Sequence, residues 1–275
     1  MNRVFLAIIG ILMLASCNQS GPTSQSAKDE TKPTEVREPE RIRKHITFSG
    51  TFYQITHLGS LDIVFTEGDY SIEAEGAENM LNSLHIDIDS NVLTVSIENE
   101  ESLGINSFVN SSSPVTLYIS CPSLQTLAVC STGSFKSVGP IHTTDMELGI
   151  LDTGCIELDT VFTTGSFNYE SSGSGNAIFH HIRTQHDCSL MPSGGGDITA
   201  DVDVADKLLI QNENTGNILV SGKAHQAELV ILEESNCVAQ FDADQLKLTA
   251  LMGNVTLKGK YSHKEIHQGK NAKVN

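Results

Sequence analysis

The sequence predicts an all-β fold, a parallel β-solenoid with coils of about 20–21 residues that follows a β-hairpin-rich N-terminal cap. Three observations predict it. A glycine recurs at a nearly constant interval, short apolar/polar alternating runs lie on each side of it, and no segment has the 3.6-residue apolar period of a helix. Repeats of this length with two or more strands are typical of solenoids, in which each unit buries its apolar face against the next.

The repeat is defined by an anchor residue that is followed two positions later by an apolar residue. The spacings between successive anchors are 21, 21, 21, 20, 20 and 17 residues. One anchor is asparagine, which after glycine best tolerates a left-handed backbone. Antiparallel meanders are the alternative, but they seldom hold so constant a period. We expect a structural turn at each anchor: Gly133, Gly154, Gly175, Gly196, Gly216, Asn236 and Gly253.

Each anchor separates two runs with the alternation of a strand. Leu127–Val129 precedes Gly133, for example, and Phe135–Val138 follows it. Strands that stack in register rise by about 4.8 Å per coil. The apolar residues two positions after the anchors should therefore lie on top of one another in the core.

Residues 45–113 are predicted to form a β-rich head that covers one end of the coil stack. Leu61–Phe65 and Tyr70–Ala74 flank a Glu-Gly-Asp turn, which predicts one hairpin. Leu84–Ile88 and Val92–Ile97 flank Asp-Ser-Asn, which predicts a second. Such a cover protects the open strand edges from aggregation.

The N-terminal segment has the pattern of a secretory signal peptide, residues 1–16. Arg3 precedes an apolar run, Val4–Ala15, which is too short to span a bilayer. Leu-Ala-Ser-Cys, ending at Cys17, resembles a bacterial lipobox, in which cleavage before the cysteine leaves its thiol to carry a diacylglycerol. The resemblance implies lipidation of Cys17 and, because Asn18 is not aspartate, the outer membrane. A plain signal peptide is the alternative.

The remaining boundaries follow from composition. Residues 17–44, the lipidated cysteine and a tether rich in Ser, Thr, Pro and Glu, have too little apolar surface to fold and are predicted to be disordered. The solenoid repeats are placed at residues 114–262 and a polar C-terminal tail at 263–275.

The charge of the chain limits its partners. Seventeen Lys and Arg against 34 Asp and Glu give a net charge of −17, which becomes −18 once Arg3 is removed with the signal peptide. A general nucleic-acid binder needs a basic face, so nucleic acid is not expected as a partner. We expect the acidic body to stand off from an anionic membrane.

The combined pattern resembles the putative auto-transporter adhesin, head GIN domain family of Gram-negative secreted lipoproteins. Its components are the lipobox, the tether, the Gly59–Ile63 strand, the Leu117–Leu124 segment and the repeated Ser/Thr-Gly corners, of which Ser172–Gly175 matches the family's Ser-Gly-Ser-Gly. Ser235-Asn236 departs from it. The resemblance implies a right-handed parallel β-helix on a lipid anchor, an adhesive or surface role, and no catalytic residues.

Candidate chemistry is sparse. Asp201 and Asp203 share a strand face near Asp197 and Asp206, as in a polysaccharide lyase or hydrolase, but no basic residue accompanies them before Lys207. We favour a solvated acidic face, and no catalytic residue, metal or cofactor is predicted. Asn176, Asp197, Asn217 and Asn254, each one residue after an anchor, should form a side-chain ladder rather than a calcium site.

The five cysteines beyond the lipobox are expected to be free thiols. Cys155 and Cys237 are assigned the same coil position but lie four coils apart, about 20 Å, which is too far for a bond. The spacing of Cys121 and Cys130 does not decide whether these two form a disulfide.

The predicted function is that of a lipid-anchored cell-envelope protein, an adhesin or surface scaffold that binds a protein or glycan through a solenoid face without catalysis. The membrane is expected as a partner through the N-terminal lipid. The alternatives are a polysaccharide-active β-helix enzyme and a periplasmic envelope accessory protein.

Overall fold

The structure is a computed structural model of the chain that describes residues 40–97, 115–213 and 215–275. These residues belong to one compact unit, Pro39–Asn275. The elements are β1 (Arg41–His45), β2 (Gln54–His57), β3 (Asp62–Glu67), β4 (Ser71–Ala77), α1 (Glu78–Asn82), β5 (Leu84–Asp89), β6 (Val92–Ile97), β7 (Val115–Cys121), β8 (Thr126–Val129), β9 (Ser134–Ser137), β10 (Pro140–Thr143), β11 (Met146–Ile150), β12 (Cys155–Thr163), β13 (Phe167–Ser171), β14 (Ala177–Thr184), β15 (Cys188–Pro192), β16 (Ile198–Asn212), β17 (Ile218–Ile231), β18 (Asn236–Lys258) and β19 (Tyr261–Val274).

The strands stack into three parallel faces, which confirms the predicted β-solenoid of about seven turns. In the second turn, β8 belongs to the face we call face A, β9 to face B and β10 to face C, and the chain then returns to face A in β11. From β16 onward a single long strand bends around a corner and contributes to more than one face.

The hydrogen bonds between turns show that the turns shorten along the chain. The Ser166 amide donates to Asp145, 21 residues away in the preceding turn, whereas the Lys260 amide donates to Asp242, which is only 18 residues away. The repeat is close to 20 residues long, as predicted, and it contracts toward the C-terminal end.

The core is a narrow column filled by one row of side chains from each strand position. On face B, the residues two positions after the anchor glycines stack in register with one another and with Cys237, and all are buried. Burial of each large aliphatic side chain contributes roughly 1.5–3 kcal/mol, so the row holds successive turns together. The row consists of Phe135, Ile156, Ala177, Ile198, Ile218 and Cys237.

The first turn of the solenoid comes from residues that the sequence analysis placed in the head. Gln54 of β2 pairs in parallel with Thr126, and Ile63 of β3 pairs in parallel with Phe135. Ser131 Oγ donates to the Gly59 carbonyl oxygen across the same boundary, which joins positions 72 apart in the chain. The chain thus builds one turn, makes a long excursion through β4 to β7, and resumes the solenoid at β8.

The excursion covers the N-terminal end of the stack, but one of its two predicted hairpins is wrong. β7 lies between β3 and β4, parallel to the first and antiparallel to the second. The second hairpin is confirmed: β5 and β6 are antiparallel, and Ser90 and Asn91 have φ of 51° and 66°, as a two-residue type I′ turn requires.

The C-terminal end has a closing strand of its own. The residues predicted as a polar tail lie in β19, which pairs in parallel with β18. Leu246 and Ala250, both buried, align with Lys264 and Gln268, both exposed. Polar side chains at the inward positions of the last turn disfavour addition of another strand.

Candidate functional site

The anchor glycines lie at the corner between faces A and B, where successive turns approach most closely. A Cβ atom on Gly175 would lie 1.6 Å from the carbonyl oxygen of Gly154, and one on Gly133 would lie 1.8 Å from that of Leu61. Among the anchors, only Gly253 has a left-handed φ, of +78°. Close approach of the backbone therefore explains most of these glycines, rather than the left-handed conformation that we invoked.

Asn236 lies one residue after the anchor position. Ile218 pairs with the buried Cys237, and a Cβ on Gly253 would face the carbonyl oxygen of Ser235 at 2.5 Å. Ser235 therefore occupies the anchor position of this turn. The ladder contact from Asn236 to Asn217 spans 19 residues, whereas that from Asn217 to Asp197 spans 20 residues, and this contraction moved the sequence alignment by one position.

The residues after the anchors form the predicted side-chain ladder, which Asn236 extends. Asn176 Oδ1 accepts from the Asp197 amide at 2.9 Å, and Asp197 Oδ1 accepts from the Asn217 amide at 2.7 Å and its side-chain Nδ2 at 3.0 Å. Asn236 Nδ2 donates to Asn217 Oδ1, and Asn254 Nδ2 donates to Asn236 Oδ1, each at 3.1 Å. The ladder satisfies polar groups at the corner, a structural role.

The acidic residues considered for catalysis are paired between turns. Asp203 lies 3.8 Å from Arg183 on one side and 3.2 Å from Lys223 on the other, and Asp206 lies 3.0 Å from His186. Each basic partner comes from the preceding or the following turn. The sequence shows no basic residue next to these acids because their partners lie a full turn away along the chain.

Asp201 bridges a histidine and a serine on face C. His181 Nδ1 lies 2.9 Å from Asp201 Oδ2, and Ser221 Oγ donates to Asp201 Oδ1 at 2.8 Å. In a nucleophilic triad the histidine contacts the serine and the carboxylate orients the histidine. Here the carboxylate occupies the central position, so the histidine is not placed to take the serine proton.

A groove of about 450 Å³ lies on face C, and it is the candidate binding site. His142, Phe162, Arg183 and Asp203 occupy equivalent positions in four successive turns. The His142 and Phe162 rings stack with centroids 4.9 Å apart and an interplanar angle of 8°. Hydroxyl and amide groups complete the lining, from Thr143, Thr163, Thr164, Thr184 and Gln185. The groove offers an aromatic edge, a cation, an anion and hydrogen-bonding groups in one row.

Ion pairs between turns also lie on the other faces. Lys136 lies 2.9 Å and His180 3.1 Å from Glu157, and hydrogen bonds from both hold the pKa of this carboxyl below its usual range. Lys207 lies 2.6 Å from Glu228 and lowers its pKa similarly. These pairs are exposed and each contributes little to the free energy of unfolding. They place opposite charges side by side in neighbouring turns.

His57 is a buried residue that the sequence analysis did not single out. It occupies an inward position of β2, aligned with Val95 and Val129. Neither ring nitrogen makes a hydrogen bond of good geometry with the described residues, although backbone groups of Gly59 and Leu61 lie close to the ring and partly offset the effect of burial on its pKa. Burial lowers its pKa to about 4, so the ring is neutral at pH 7. The sequence could have identified His57 as buried only if β2, β6 and β8 had been aligned correctly, because the residues beside it in those strands, Val95 and Val129, are apolar.

The five cysteines of the described residues are free thiols. Cys121, Cys188 and Cys237 are buried, whereas Cys155 is exposed. Burial raises the pKa of Cys121 and Cys237 to about 12, so these thiols act as small apolar side chains. Cys155 and Cys237 do not share a coil position, since Cys237 points inward.

Two further features concern membranes and metals. Cys17 and the predicted signal peptide lie outside the described residues. Within residues 40–97, 115–213 and 215–275, no helix is long and apolar enough to cross a membrane. In the same ranges no three His, Cys, Asp or Glu side chains are grouped as a metal ion would need.

Comparisons with solved structures show the same fold in bacterial proteins. A putative adhesin from Parabacteroides distasonis is 15% identical with a TM-score of 0.65, over 86% of this chain and 98% of that one. A putative adhesin from Parabacteroides merdae is 17% identical with a TM-score of 0.64, over 86% and 96%. A protein described as a putative lipid binding protein, also from P. distasonis, is 21% identical with a TM-score of 0.58, over 86% and 97%.

A comparison with curated proteins finds no match to this chain. The sequence matches the family described as putative auto-transporter adhesin, head GIN domain, over residues 51–259. This range covers most of the solenoid, including its first turn. The chain therefore belongs to the putative auto-transporter adhesin, head GIN domain family.

Proposed function

We propose that this protein is a lipid-anchored component of the cell envelope, an adhesin or surface scaffold that binds its ligand without catalysis. The observation that carries the proposal is the groove on face C, which presents His142, Phe162, Arg183 and Asp203 in one row. The family name and the putative adhesins among the solved structures support a surface role.

The groove suits binding better than bond cleavage. It is a shallow row on a strand face, and its carboxylate, Asp203, is shared between two cations from neighbouring turns. Hydrolysis of a glycosidic bond ordinarily uses a pair of carboxyl groups, whereas Asp203 is the one carboxylate among the residues that line this groove. A protein or glycan ligand would contact the aromatic edge of Phe162, 36% exposed, and exchange hydrogen bonds with Thr164 and Gln185, the exposed polar residues of the lining.

The binding test is a glycan and matrix-protein array probed with the unit Pro39–Asn275, which contains every described strand. We expect a ligand whose binding falls about tenfold or more in Phe162→Ala/Arg183→Ala. The matched control is Leu219→Ala/Lys247→Ala, which removes an exposed apolar residue and a cation from other faces. Equal loss in both pairs, or no binding on the array, would contradict the proposal. Shortening of a bound glycan would favour the enzyme alternative.

The anchor is tested separately. In cells given an alkyne-labelled fatty acid, the wild-type chain should take up the label and Cys17→Ala should not. Protease treatment of intact and of permeabilised cells then distinguishes the cell surface from the periplasmic face. A label that persists in Cys17→Ala would refute lipidation at this residue.

A further inference from the structure

The basic residues of this acidic protein are concentrated at the C-terminal end of the solenoid. Residues 258–275 contain five of the 17 Lys and Arg residues and only one, Glu265, of the 34 Asp and Glu residues. All five are lysines with exposed side chains: Lys258, Lys260, Lys264, Lys270 and Lys273. This segment has a charge of +4 in a chain whose net charge is −17.

These five lysines also differ from the other basic residues in their partners. Each of the other Lys and Arg side chains in the described residues forms an ion pair with a carboxylate: Arg41, Arg43, Lys44, Lys136, Arg183, Lys207, Lys223 and Lys247. None of the five does so with a described carboxylate. The single acid of the segment, Glu265, contacts His267 at 2.6 Å. The charge of this end is therefore not neutralised within the described part of the chain.

The end turn carries this charge on side chains that are exposed to solvent, even at a position that is inward in the preceding turns. Lys264 aligns with Leu246, which itself stacks on Ala227 and Leu208, so an ammonium stands where three preceding turns bury apolar groups. The chain enters the unit at the other end, where β1 is the outermost strand of its face. The basic end is thus the one opposite to that entry.

We propose that the C-terminal end of the solenoid binds an acidic polysaccharide, a glycan with carboxylate or sulfate groups along its length. Five unpaired amines around one end match a ligand whose negative charges recur at intervals. Binding would release counterions from the glycan and bring the unpaired ammonium groups within contact of its anionic groups. This inference does not depend on the groove of face C, which lies on a different surface.

The composition of the end favours a glycan over other polyanions. Nucleic acid is the less suitable polyanion because neutralising its phosphates needs an extended basic surface, whereas the chain has a net charge of −17 and the unpaired lysines of the described residues are confined to this end. Attachment to a lipid surface gains from aromatic residues that insert among the headgroups. The chain has no Trp, and Tyr261 is half-buried and packs edge-on against the Phe241 ring, 6.1 Å away.

The test measures binding of the unit Pro39–Asn275 to immobilised heparin, which is sulfated, and alginate, which is carboxylated, with neutral dextran as the blank. The variant is Lys260→Gln/Lys264→Gln/Lys270→Gln. The control, Lys136→Gln/Lys223→Gln/Lys247→Gln, has the same net charge but changes lysines that are already ion-paired. Circular dichroism checks that both fold.

We expect binding to at least one of the acidic glycans that weakens with added NaCl, and a loss of about tenfold or more in the end variant, equivalent to about 1.4 kcal/mol. The control should lose less than about threefold, or about 0.65 kcal/mol. An equal loss in both would show that net charge decides and would overturn the proposal. So would the absence of binding to both glycans, or tighter binding to duplex DNA or to phosphatidylglycerol vesicles.

Discussion

Replacement of Gly175 by alanine should destabilise the solenoid at the corner of faces A and B. The new Cβ would lie 1.6 Å from the Gly154 carbonyl oxygen, about half of a normal carbon–oxygen contact, so the two turns must separate by roughly 1.5 Å. Three hydrogen bonds between turns lie at this corner, donated by the amides of Ser174, Gly175 and Ile156.

The magnitude follows from these bonds. At about 1 kcal/mol each, their loss costs about 3 kcal/mol, from which the lower entropy of the unfolded alanine chain subtracts about 0.4–1 kcal/mol. We therefore expect Gly175→Ala to lower the free energy of unfolding by about 2–3 kcal/mol. Urea unfolding followed by circular dichroism measures the total change, and hydrogen exchange shows whether it is confined to neighbouring turns.

The matched control is Gly195→Ala in the next turn of the same corner. Its Cβ would lie 3.6 Å from the Cβ of Ser174, an ordinary contact, and its φ is not left-handed. We expect this variant to be neutral or slightly stabilised. If both variants unfold at the same urea concentration, close approach of the turns is not what requires glycine at the anchors.

Three further results are expected. Asp197→Ala should lower the free energy of unfolding by about 1–2 kcal/mol, because the Asn217 amide loses its acceptor; Asp197→Asn, which keeps an oxygen, should lose less in the same urea assay. The free energy of unfolding should fall by roughly 3 kcal/mol as the pH is lowered from 6.5 to about 4, because His57 takes up a proton in the unfolded chain at a higher pH than in the folded one. Urea unfolding at a series of pH values measures this loss. If His57→Val shows the same loss as the wild type, His57 is not its cause. In the native unit, Cys155 should react with a maleimide well before Cys237, whose pKa burial raises to about 12, and mass spectrometry showing equal labelling would contradict this.

The repeat was readable from the sequence because its cause is local. Glycine is favoured where the corner of one turn approaches the next, so Gly133 to Gly216 mark most of the turns directly. The assignment of Asn236 was wrong because the turn is one residue shorter and its anchor, Ser235, is not glycine. A rule based on residue type does not register a change in the length of a turn.

The pairing of strands that are distant in the chain could not be predicted from the sequence. Alternation correctly placed strands at β3 and β4, and their turn residues suggested a hairpin. The insertion of β7 between them depends on residues far later in the chain, which no local pattern encodes. The groove on face C has the same origin: His142, Phe162 and Arg183 meet because successive turns stack, and none is unusual in its own segment.

The long separation in sequence between the first turn and the second determines the order in which the fold can form. Closing a loop of 72 residues instead of 21 residues costs about 1 kcal/mol more in chain entropy, so the later turns have the entropic advantage. When the chain emerges from its N-terminus, β2 and β3 appear first but lack their solenoid neighbours until β8 and β9 follow. During synthesis, one edge of the first turn therefore stays without its solenoid partner until about residue 137 has been made, which is a longer wait than the roughly 20 residues that separate each later turn from the next.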